Sequence, residues 1–385
     1  MSSAGNSATA DVVVIGGGLI GTSISWRLRQ AGLDVAVIVG ERSAAASGVA
    51  AGMLAPVTET TFTERRLLDL NLASLSRYAD FVAELETASD LRTGLRRTPN
   101  LSVAYDADDA ARLLTFADFL TRAGHPAERL TSRESRRHEP LLAPTIRSGL
   151  LVEGDWSCDN RLLWRALIKA AHRMGVRELP GFVHRVTSTN GVVTGVELAD
   201  GSCIGAGWVV LANGAWAAQI DGVPDLPVRP VKGQIVRLDP GRLPGPSLTI
   251  RAYVRGAEIY LVPRESGREV VLGATVEELG FDHRVTAGAV YELLRDGRTV
   301  MPMSAEYALA ESSVGWRPGT PDNAPILGRC DMEGLVLATG HYRNGVLLTP
   351  ITADVISTLI MSGKLDSLAA PFTLDRFALT GSRAQ

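Results

Sequence analysis

The sequence predicts an α/β protein of two units, the first built on a doubly wound parallel sheet. Three observations support this fold class. A strand, a glycine turn, a helix and a second strand follow one another near the start of the chain. Three strand-like runs separated by tight-turn signals lie in the middle, and a strand, a loop and a helix come near the end. This order is typical of a chain that returns to its first sheet after building a second one.

Length and composition limit the classes of protein that remain. With 385 residues, the chain is long enough for two domains with sizeable cores. A net charge of -3 suggests neither a nucleic-acid partner nor an anionic membrane surface. Cys158, Cys203 and Cys330 are far apart and odd in number, which disfavours disulfides and metal sites and predicts a reducing, cytoplasmic location. No membrane-spanning run is visible, and residues 1–10 are expected to be a disordered leader rather than a signal peptide.

The first predicted strand, residues 12–15, leads into a glycine-rich turn and a helix. Gly16, Gly18 and Gly21 form a GxGxxG motif, after which apolar residues recur every four positions. In a strand–turn–helix context, the first glycine permits the tight turn, the second lets a pyrophosphate approach the backbone, and the third lets the helix pack on the strand. The helix N-terminus supplies donors for the phosphates. The motif therefore predicts a Rossmann-like dinucleotide site, and its context disfavours a glycine turn without a ligand.

An acidic residue after the second strand is expected to bind the ribose of the dinucleotide. Glu41 lies at about the required distance from the glycine motif, although the strand is expected to end nearer Val39. Glu41 is therefore the predicted ribose ligand, with Arg42 beside it, and a solvated loop charge is the alternative for Glu41.

Residues 43–56, "SAAASGVAAGMLAP", indicate which dinucleotide is bound. Small side chains let a backbone lie against a long flat ligand, with Ser47 and nearby amides close to phosphate. A nicotinamide enzyme has no evident need of such a stretch, whereas a flavin is reached by an extended chain. The sequence therefore favours a flavin, and a flexible Ala/Ser linker is the alternative.

The middle and the end of the chain complete the predicted layout. Asn190-Gly191 and Asp200-Gly201 are strong hairpin signals, so a meander is expected to lead into the apolar strand "WVVLANG". Near the end, "ATGHYRNG" is predicted to be a loop at a helix N-terminus that faces the flavin ring. Amides of residues 344–346 there can donate to the flavin carbonyl that gains negative charge on reduction. Gly340 and Gly345 would allow close approach, and Arg343 would lie beside the ring.

These pieces together resemble the D-amino acid oxidase superfamily, and most closely the glycine oxidases of thiamine biosynthesis. The matching stretches run through nearly the whole chain in the family's order: "VVVIGGGLIG", "AAGMLAP", "PVKGQ", "IYLVPR", "GATVE", "GWRPGTPDNAPILGR" and "GHYRNGVLLTP". The resemblance implies an FAD-binding Rossmann-like domain formed by residues 1–56, 156–227 and 321–385. It also implies an α+β substrate domain with an antiparallel sheet, formed by residues 57–155 and 228–320.

The resemblance also implies the site residues. The carboxylate-binding arginine falls on Arg317, in a loop rich in turn residues, and the second substrate-facing arginine on Arg343. The active-site tyrosine falls on Tyr260, the methionine near the flavin on Met53, and a histidine of some members is replaced by Glu258. The implied FAD contacts are Leu19, Ile20, Ser47, Gly48, Ala51, Gly52, Met53, Val183, His341, Tyr342, Arg343, Asn344, Gly345, Val346 and Leu347.

Each of these assignments has an alternative that the residues alone leave open. Arg317 suits bidentate binding of a carboxylate but is also compatible with a structural salt bridge. Tyr260 alternates with apolar neighbours, as a half-buried core tyrosine would, and Met53 is compatible with simple packing. Glu258 is expected to favour a larger or cationic amine if it faces the substrate. His341 is predicted to be structural rather than a general base.

The predicted function is FAD-dependent oxidative deamination of a small, glycine-like amino acid. Hydride transfer from the α-carbon to flavin N5 gives an imine, which yields an oxo-acid, ammonia and, with dioxygen, hydrogen peroxide. The alternatives are an amine oxidase of a dedicated biosynthetic pathway, a dehydrogenase of the same fold and a non-catalytic flavin-binding protein. The sequence leaves the exact substrate and the oligomeric state open, a homo-oligomer included.

Overall fold

Two large sheets organise the molecule. The computed structural model describes residues 8–41, 45–125 and 127–383. Within these ranges the strands are β1 (Ala8–Ile15), β2 (Val35–Val39), β3 (Met53–Leu54), β4 (Asn100–Ala104), β5 (Glu128–Thr131), β6 (Ser148–Val152), β7 (Trp156–Ser157), β8 (Arg177–Pro180), β9 (Val183–Thr189), β10 (Val192–Leu198), β11 (Cys203–Leu211), β12 (Arg229–Asp239), β13 (Thr249–Val254), β14 (Ala257–Pro263), β15 (Val270–Gly273), β16 (Ala308–Gly319), β17 (Ile326–Arg329) and β18 (Leu335–Thr339). The α-helices of the same ranges are α1 (Leu19–Gln30), α2 (Ala46–Val49), α3 (Arg65–Ser89), α4 (Ala107–Arg122), α5 (Ser132–His138), α6 (Asn160–Arg173), α7 (Ala287–Val300) and α8 (Thr349–Ser362).

The first sheet has the order β17-β18-β11-β1-β2-β8, and β9 and β10 extend it from β11. The strands from β18 to β8 run parallel, as predicted for the doubly wound unit. The predicted leader is wrong at its end, because β1 already begins at Ala8, where it pairs with Ile204 of β11. Pairing with a long neighbouring strand keeps this polar stretch extended. Residues 1–7 of the predicted leader lie outside the described residues.

The second sheet has the order β16-β12-β15-β14-β13-β4-β6-β5. Its neighbouring strands are antiparallel except for β13 and β4, which run parallel. The predicted fold class is confirmed, with this parallel pair as the one departure from an antiparallel sheet. The two hairpin signals are also found where predicted. Asn190 and Gly191 both have positive φ, 52° and 81°, as a two-residue turn between β9 and β10 requires.

Helix α3 lies beside the first sheet. It packs against α6 and α8, and its buried residues join the same hydrophobic cluster as β1 and β2. The domain boundaries from the sequence stay a prediction, and this packing favours counting residues 65–89 with the first unit. Among the helices of the described ranges, none combines the length and the apolar character that crossing a lipid bilayer requires.

Candidate active site

A cavity of about 1250 Å³ is lined by residues of both sheets. Ordinary ligand pockets measure roughly 300–1000 Å³, so this one has room for more than a single small metabolite. At one end it is lined by the turn between β1 and α1, and at the other by β12, β14 and β16. The arrangement suits a long ligand that runs from the first sheet to the second.

The glycine turn brings its backbone close to neighbouring chain segments and to the cavity. Gly16 has φ of +110°, and a Cβ there would lie 2.6 Å from the carbonyl oxygen of Ala212. A Cβ on Gly21 would lie 1.9 Å from the carbonyl oxygen of Gly16, so this glycine permits the close packing of α1 on β1. A Cβ on Gly18 would meet only the hydroxyl of Ser47, at 3.1 Å. The Ser47 hydroxyl accepts a hydrogen bond from the amide of Leu19 at 2.9 Å, and the N-terminus of α1 faces the cavity with Leu19 and Ile20 in the lining.

Further lining residues include those predicted to contact the rest of a dinucleotide. Glu41 follows β2 and lines the cavity, as does Val183. Phe182 lines the same end and is 62% exposed. The side-chain oxygen of Asn213 is buried and has no hydrogen-bond partner within the described chain, which fits a polar ligand in the adjoining space. The predicted contact at Arg42 lies outside the described residues.

The small-residue segment 45–53 is held in place by side chains that bind its carbonyl groups. It forms the one-turn helix α2 before it becomes extended, which the sequence did not predict. Asn160 donates to the carbonyl of Ser47 at 2.7 Å, and Arg161 donates to that of Gly48 at 2.8 Å. Arg264 donates to the carbonyl of Ala51 at 2.7 Å. These bonds fix the peptide planes of the segment beside the cavity.

Arg264 is the residue to test for this role, because it is only 3% exposed. It also donates to the carbonyl of Cys158 at 2.9 Å and to the side chain of Asn160 at 2.8 Å. An Arg264→Met variant should lose about 3–5 kcal/mol of the free energy of unfolding, since several buried acceptors lose their donor. Urea denaturation measures this. Arg268→Met, at an exposed arginine four residues away, is the control and should change stability by less than about 0.5 kcal/mol.

The loop before α8 is fixed by two buried residues of α3. Tyr78 donates its hydroxyl to the carbonyl of Val346 at 2.8 Å, and Ser74 donates to that of Leu347 at 2.6 Å. The prediction that the amide of Asn344 donates to the flavin is wrong, because this amide donates to the carbonyl of His341 at 2.9 Å. The loop closes on itself in a tight turn before the helix begins. For Gly345 and Val346, the described backbone offers their amides no partner, which leaves these two for a ligand.

The other residues predicted in this loop are placed as follows. His341 is 3% exposed and its Nε2 lies 3.1 Å from the hydroxyl of Thr352, while burial lowers its pKa to about 3. It is therefore a neutral side chain turned into the fold, as predicted for a structural histidine. Tyr342 lines the cavity, and Arg343 is exposed with its guanidinium over the ring of Tyr342. The predicted contact residues that do not line the cavity are Gly21, Gly48, Asn344 and Leu347.

Arg317 lies at the end of the cavity that the second sheet lines, on β16 rather than in the predicted loop. The turn-rich composition was misleading because β16 is an edge strand, where Pro318 is tolerated, and it is held extended by β12. The guanidinium donates to the carbonyl of Thr275 at 3.1 Å and lies near that of Lys232 at 3.4 Å. Within the described residues no carboxylate forms a salt bridge with it, although it lines the cavity.

Tyr260 lies on β14 and lines the same end of the cavity. Burial raises its pKa above the ordinary value, so the phenol is protonated at neutral pH and available as a hydrogen-bond donor. Met53 lines the cavity from the first unit. The register of the second sheet places Arg251 opposite Tyr260 and Tyr260 opposite Gly273. Side chains from segments far apart in sequence therefore share one face of this sheet.

Glu258 also lines the cavity, but its charge is already compensated. Its carboxylate forms a salt bridge with Arg112 of α4, and Arg251 lies 3.5 Å from its other oxygen. Arg251 is also 3.5 Å from Glu59 and donates to the carbonyl of Thr58 at 2.6 Å. This pairing reduces the charge that Glu258 would offer to a cationic amine, and its role in the choice of substrate stays a prediction.

Several lining residues were not singled out from the sequence. They are Glu59, Arg112, Phe182, Trp216, Gly233, Arg251 and Trp316. Trp216 and Trp316 meet edge to face at 5.7 Å between ring centroids, and Phe281 packs on both. Gly233 belongs to the matching stretch "PVKGQ", but the sequence indicates no physical reason for a glycine at this position. Its contact with the side chain of Arg317 on the neighbouring strand is not visible in the sequence.

The chain is similar to a known protein family and to several known proteins. The model of a family described as FAD dependent oxidoreductase matches residues 11–359. A bifunctional ThiO/ThiG protein of Nostoc sp. is 37% identical over 96% of this chain and 55% of its own length. The chain thus spans about half the length of the bifunctional relatives.

Full-length similarity is found with single-function oxidases. The glycine oxidase of Geobacillus kaustophilus is 33% identical over 95% of this chain and 97% of its own. The crystal structure of glycine oxidase from that organism has a TM-score of 0.87 and 31% identity, over 96% of this chain and 99% of the other. The structure of an iminodiacetate oxidase from Chelativorans sp. BNC1 has a TM-score of 0.85 at 27% identity, over 94% and 98% of the two chains.

Proposed function

Because the chain belongs to the DAO family of FAD dependent oxidoreductases, we propose that it oxidises a small, glycine-like amino acid. The observation that carries this proposal is the guanidinium of Arg317. It lines the cavity, bonds only to backbone carbonyls and has no carboxylate partner within the described chain. An arginine in this state is suited to bind the carboxylate of a ligand through two parallel hydrogen bonds. The names of the full-length relatives support an amino acid substrate.

In the proposed mechanism, the residues of the chain bind and orient the substrate. Arg317 binds the substrate carboxylate, and the protonated phenol of Tyr260 donates a second hydrogen bond to it. Arg343 is exposed at the loop before α8, where it adds positive charge near the cavity. Fixing the carboxylate at one point leaves the α-carbon and the amine to face the first unit. Orientation of this kind lowers the barrier by removing freedom that the reactants would otherwise lose.

The cofactor fits the first-unit end of the cavity. The glycine turn and the N-terminal end of α1 would hold the pyrophosphate, Glu41 the ribose, and segment 45–53 and the amides of Gly345 and Val346 the flavin. Bound FAD supplies the acceptor for the hydride that leaves the α-carbon. With the flavin bound there, the amides of Gly345 and Val346 would stabilise the negative charge of its reduced form.

The product of hydride removal is an imine, which water hydrolyses to a 2-oxo acid and ammonia. We infer that dioxygen is the terminal acceptor and forms hydrogen peroxide, and that the enzyme works in the cytoplasm. The test is peroxide release by the FAD-loaded protein with glycine, sarcosine, D-alanine and larger amines. Peroxide from small amino acids, but not from the matching amines without a carboxylate, is the expected result. Turnover of the amines alone would refute the proposal.

The side chain of Glu258 offers a separate test of how charge tunes the substrate range. Glu258→Gln should leave Arg112 and Arg251 without their shared partner and make the cavity mouth more positive. Because the carboxylate is 37% exposed, solvent screens much of this change. We expect kcat/KM for iminodiacetate and aspartate to rise about 2–5-fold relative to glycine. Glu278→Gln is the control, since Glu278 also pairs with an arginine but does not line the cavity. If kcat/KM for these substrates relative to glycine is unchanged, Glu258 does not contribute to the substrate selectivity of the site.

A further inference from the structure

Two glycines of the second sheet lie directly beneath the two side chains assigned to the substrate carboxylate. A Cβ built on Gly233 of β12 would lie 2.4 Å from Nη1 and 2.6 Å from Nη2 of Arg317. A Cβ built on Gly273 of β15 would lie 2.5 Å from the hydroxyl oxygen of Tyr260 and 2.6 Å from its Cζ. The guanidinium and the phenol therefore both pack against glycine backbone that carries no side chain.

The register of the sheet explains why these contacts occur. Val231 pairs with Arg317, so Gly233 is two residues further along β12 on the same face. Gly273 pairs directly with Tyr260 in the neighbouring strand pair. A side chain at either glycine would fill the space that the functional group now occupies. Each glycine therefore lies beside a functional side chain of the neighbouring strand.

We propose that Gly233 and Gly273 are positioning residues, which set the height of Arg317 and Tyr260 above the sheet. This inference rests on the proposed function, in which Arg317 binds the substrate carboxylate. At Gly233 the backbone does not explain the glycine, because its φ lies outside the positive range that excludes other residues. The atoms that an alanine would meet are the far end of a flexible side chain. The sheet can therefore accept the methyl group, and the guanidinium is the part that must move, by about 1 Å to reach normal contact.

The position of the guanidinium matters because misplacement of a binding group by about 1 Å costs on the order of 100-fold in rate. Gly233→Ala should therefore raise the KM for glycine about 10–100-fold. The dissociation constant of acetate, a carboxylate without the amine, should rise in parallel, as followed by the absorbance change of the bound flavin. Flavin content and the thermal unfolding midpoint should stay near those of the wild type. Gly207→Ala of β11 is the control, because a Cβ there has its nearest neighbour at 3.9 Å.

A double-variant cycle separates this proposal from the function on which it rests. In an Arg317→Leu background there is no guanidinium to displace, so adding Gly233→Ala should change the acetate dissociation constant less than about 2-fold. If Arg317→Leu weakens acetate binding but Gly233→Ala does not, the proposed function stands and the role of Gly233 is refuted. If neither variant weakens it, Arg317 is not the anchor and the proposed function fails. A Gly233→Ala protein that does not fold would also overturn the inference, since it requires the side chain and not the sheet to give way.

The role of Gly273 can be tested independently, through its effect on the phenol of Tyr260. Gly273→Ala should displace the ring of Tyr260 and raise the KM for glycine, whereas Gly273→Ala combined with Tyr260→Ala should show no further increase over Tyr260→Ala alone. Equal, additive increases in both backgrounds would show that Gly273 acts on something other than Tyr260.

Discussion

A Gly18→Val variant should be purified without the yellow colour of a flavoprotein. Gly18 has extended backbone angles, φ of -75° and ψ of -175°, which valine adopts readily. A Cβ there meets only the Ser47 hydroxyl, so the fold should tolerate the substitution. The side chain would instead occupy the space in which a pyrophosphate approaches the backbone. We expect the wild type to carry about one FAD per chain that acid or heat releases, and the variant less than about a tenth of that.

The measurement is the flavin absorbance of the purified protein before and after incubation with FAD, together with titration of the apoprotein by calorimetry. Gly154→Val is the matched control, because no atom lies within 4 Å of a Cβ at that exposed glycine. It should keep its full flavin content. Normal FAD binding by Gly18→Val would show that the glycine turn does not hold the cofactor.

The second large effect is expected for Arg317→Leu. Leucine keeps much of the apolar stem but removes both hydrogen bonds to a substrate carboxylate. A buried charged pair left half-made costs about 2–5 kcal/mol, or roughly 30-fold or more in affinity. The KM for glycine should rise by at least this factor while the flavin content stays unchanged. Steady-state peroxide release and the absorbance of bound FAD measure the two quantities.

Two further variants sharpen the result. Arg317→Lys keeps the positive charge but not the planar fork, so it should recover only part of the lost affinity. Arg343→Leu removes an exposed guanidinium that contacts the ring and the hydroxyl of Tyr342, and it should change the KM less than Arg317→Leu does. A wild-type KM in Arg317→Leu, combined with a strong effect of Arg343→Leu, would move the carboxylate anchor to Arg343.

Local patterns predicted the dinucleotide-binding part of the molecule well. The spacing of Gly16, Gly18 and Gly21 between a strand and a helix requires only a few neighbouring residues to form its structure. The hairpin at Asn190-Gly191 likewise follows from the backbone angles that these residue types permit. The conformation of such features is determined by a few neighbouring residues, so it can be predicted without knowledge of the tertiary structure.

The same reasoning failed where a distant partner decides the conformation. Arg317 lies in a stretch of glycine, proline and threonine that is typical of a loop, yet pairing with β12 makes it a strand. The amide of Asn344 is a different case, because a local turn within its own loop binds it. Glu258 has the charge that the sequence shows, but two arginines from other elements pair with it.

By itself, the sequence determined the fold class, the dinucleotide turn and the kinds of side chain that form the site. Alternation along a strand also determined that Glu258 and Tyr260 share a face. Only the tertiary structure decided which residues meet across strands: Arg251 beside Tyr260, Tyr260 over Gly273, and Arg317 over Gly233. The physical reason is that pairing register depends on the packing of the whole sheet, and a shift of one residue would turn each side chain to the opposite face.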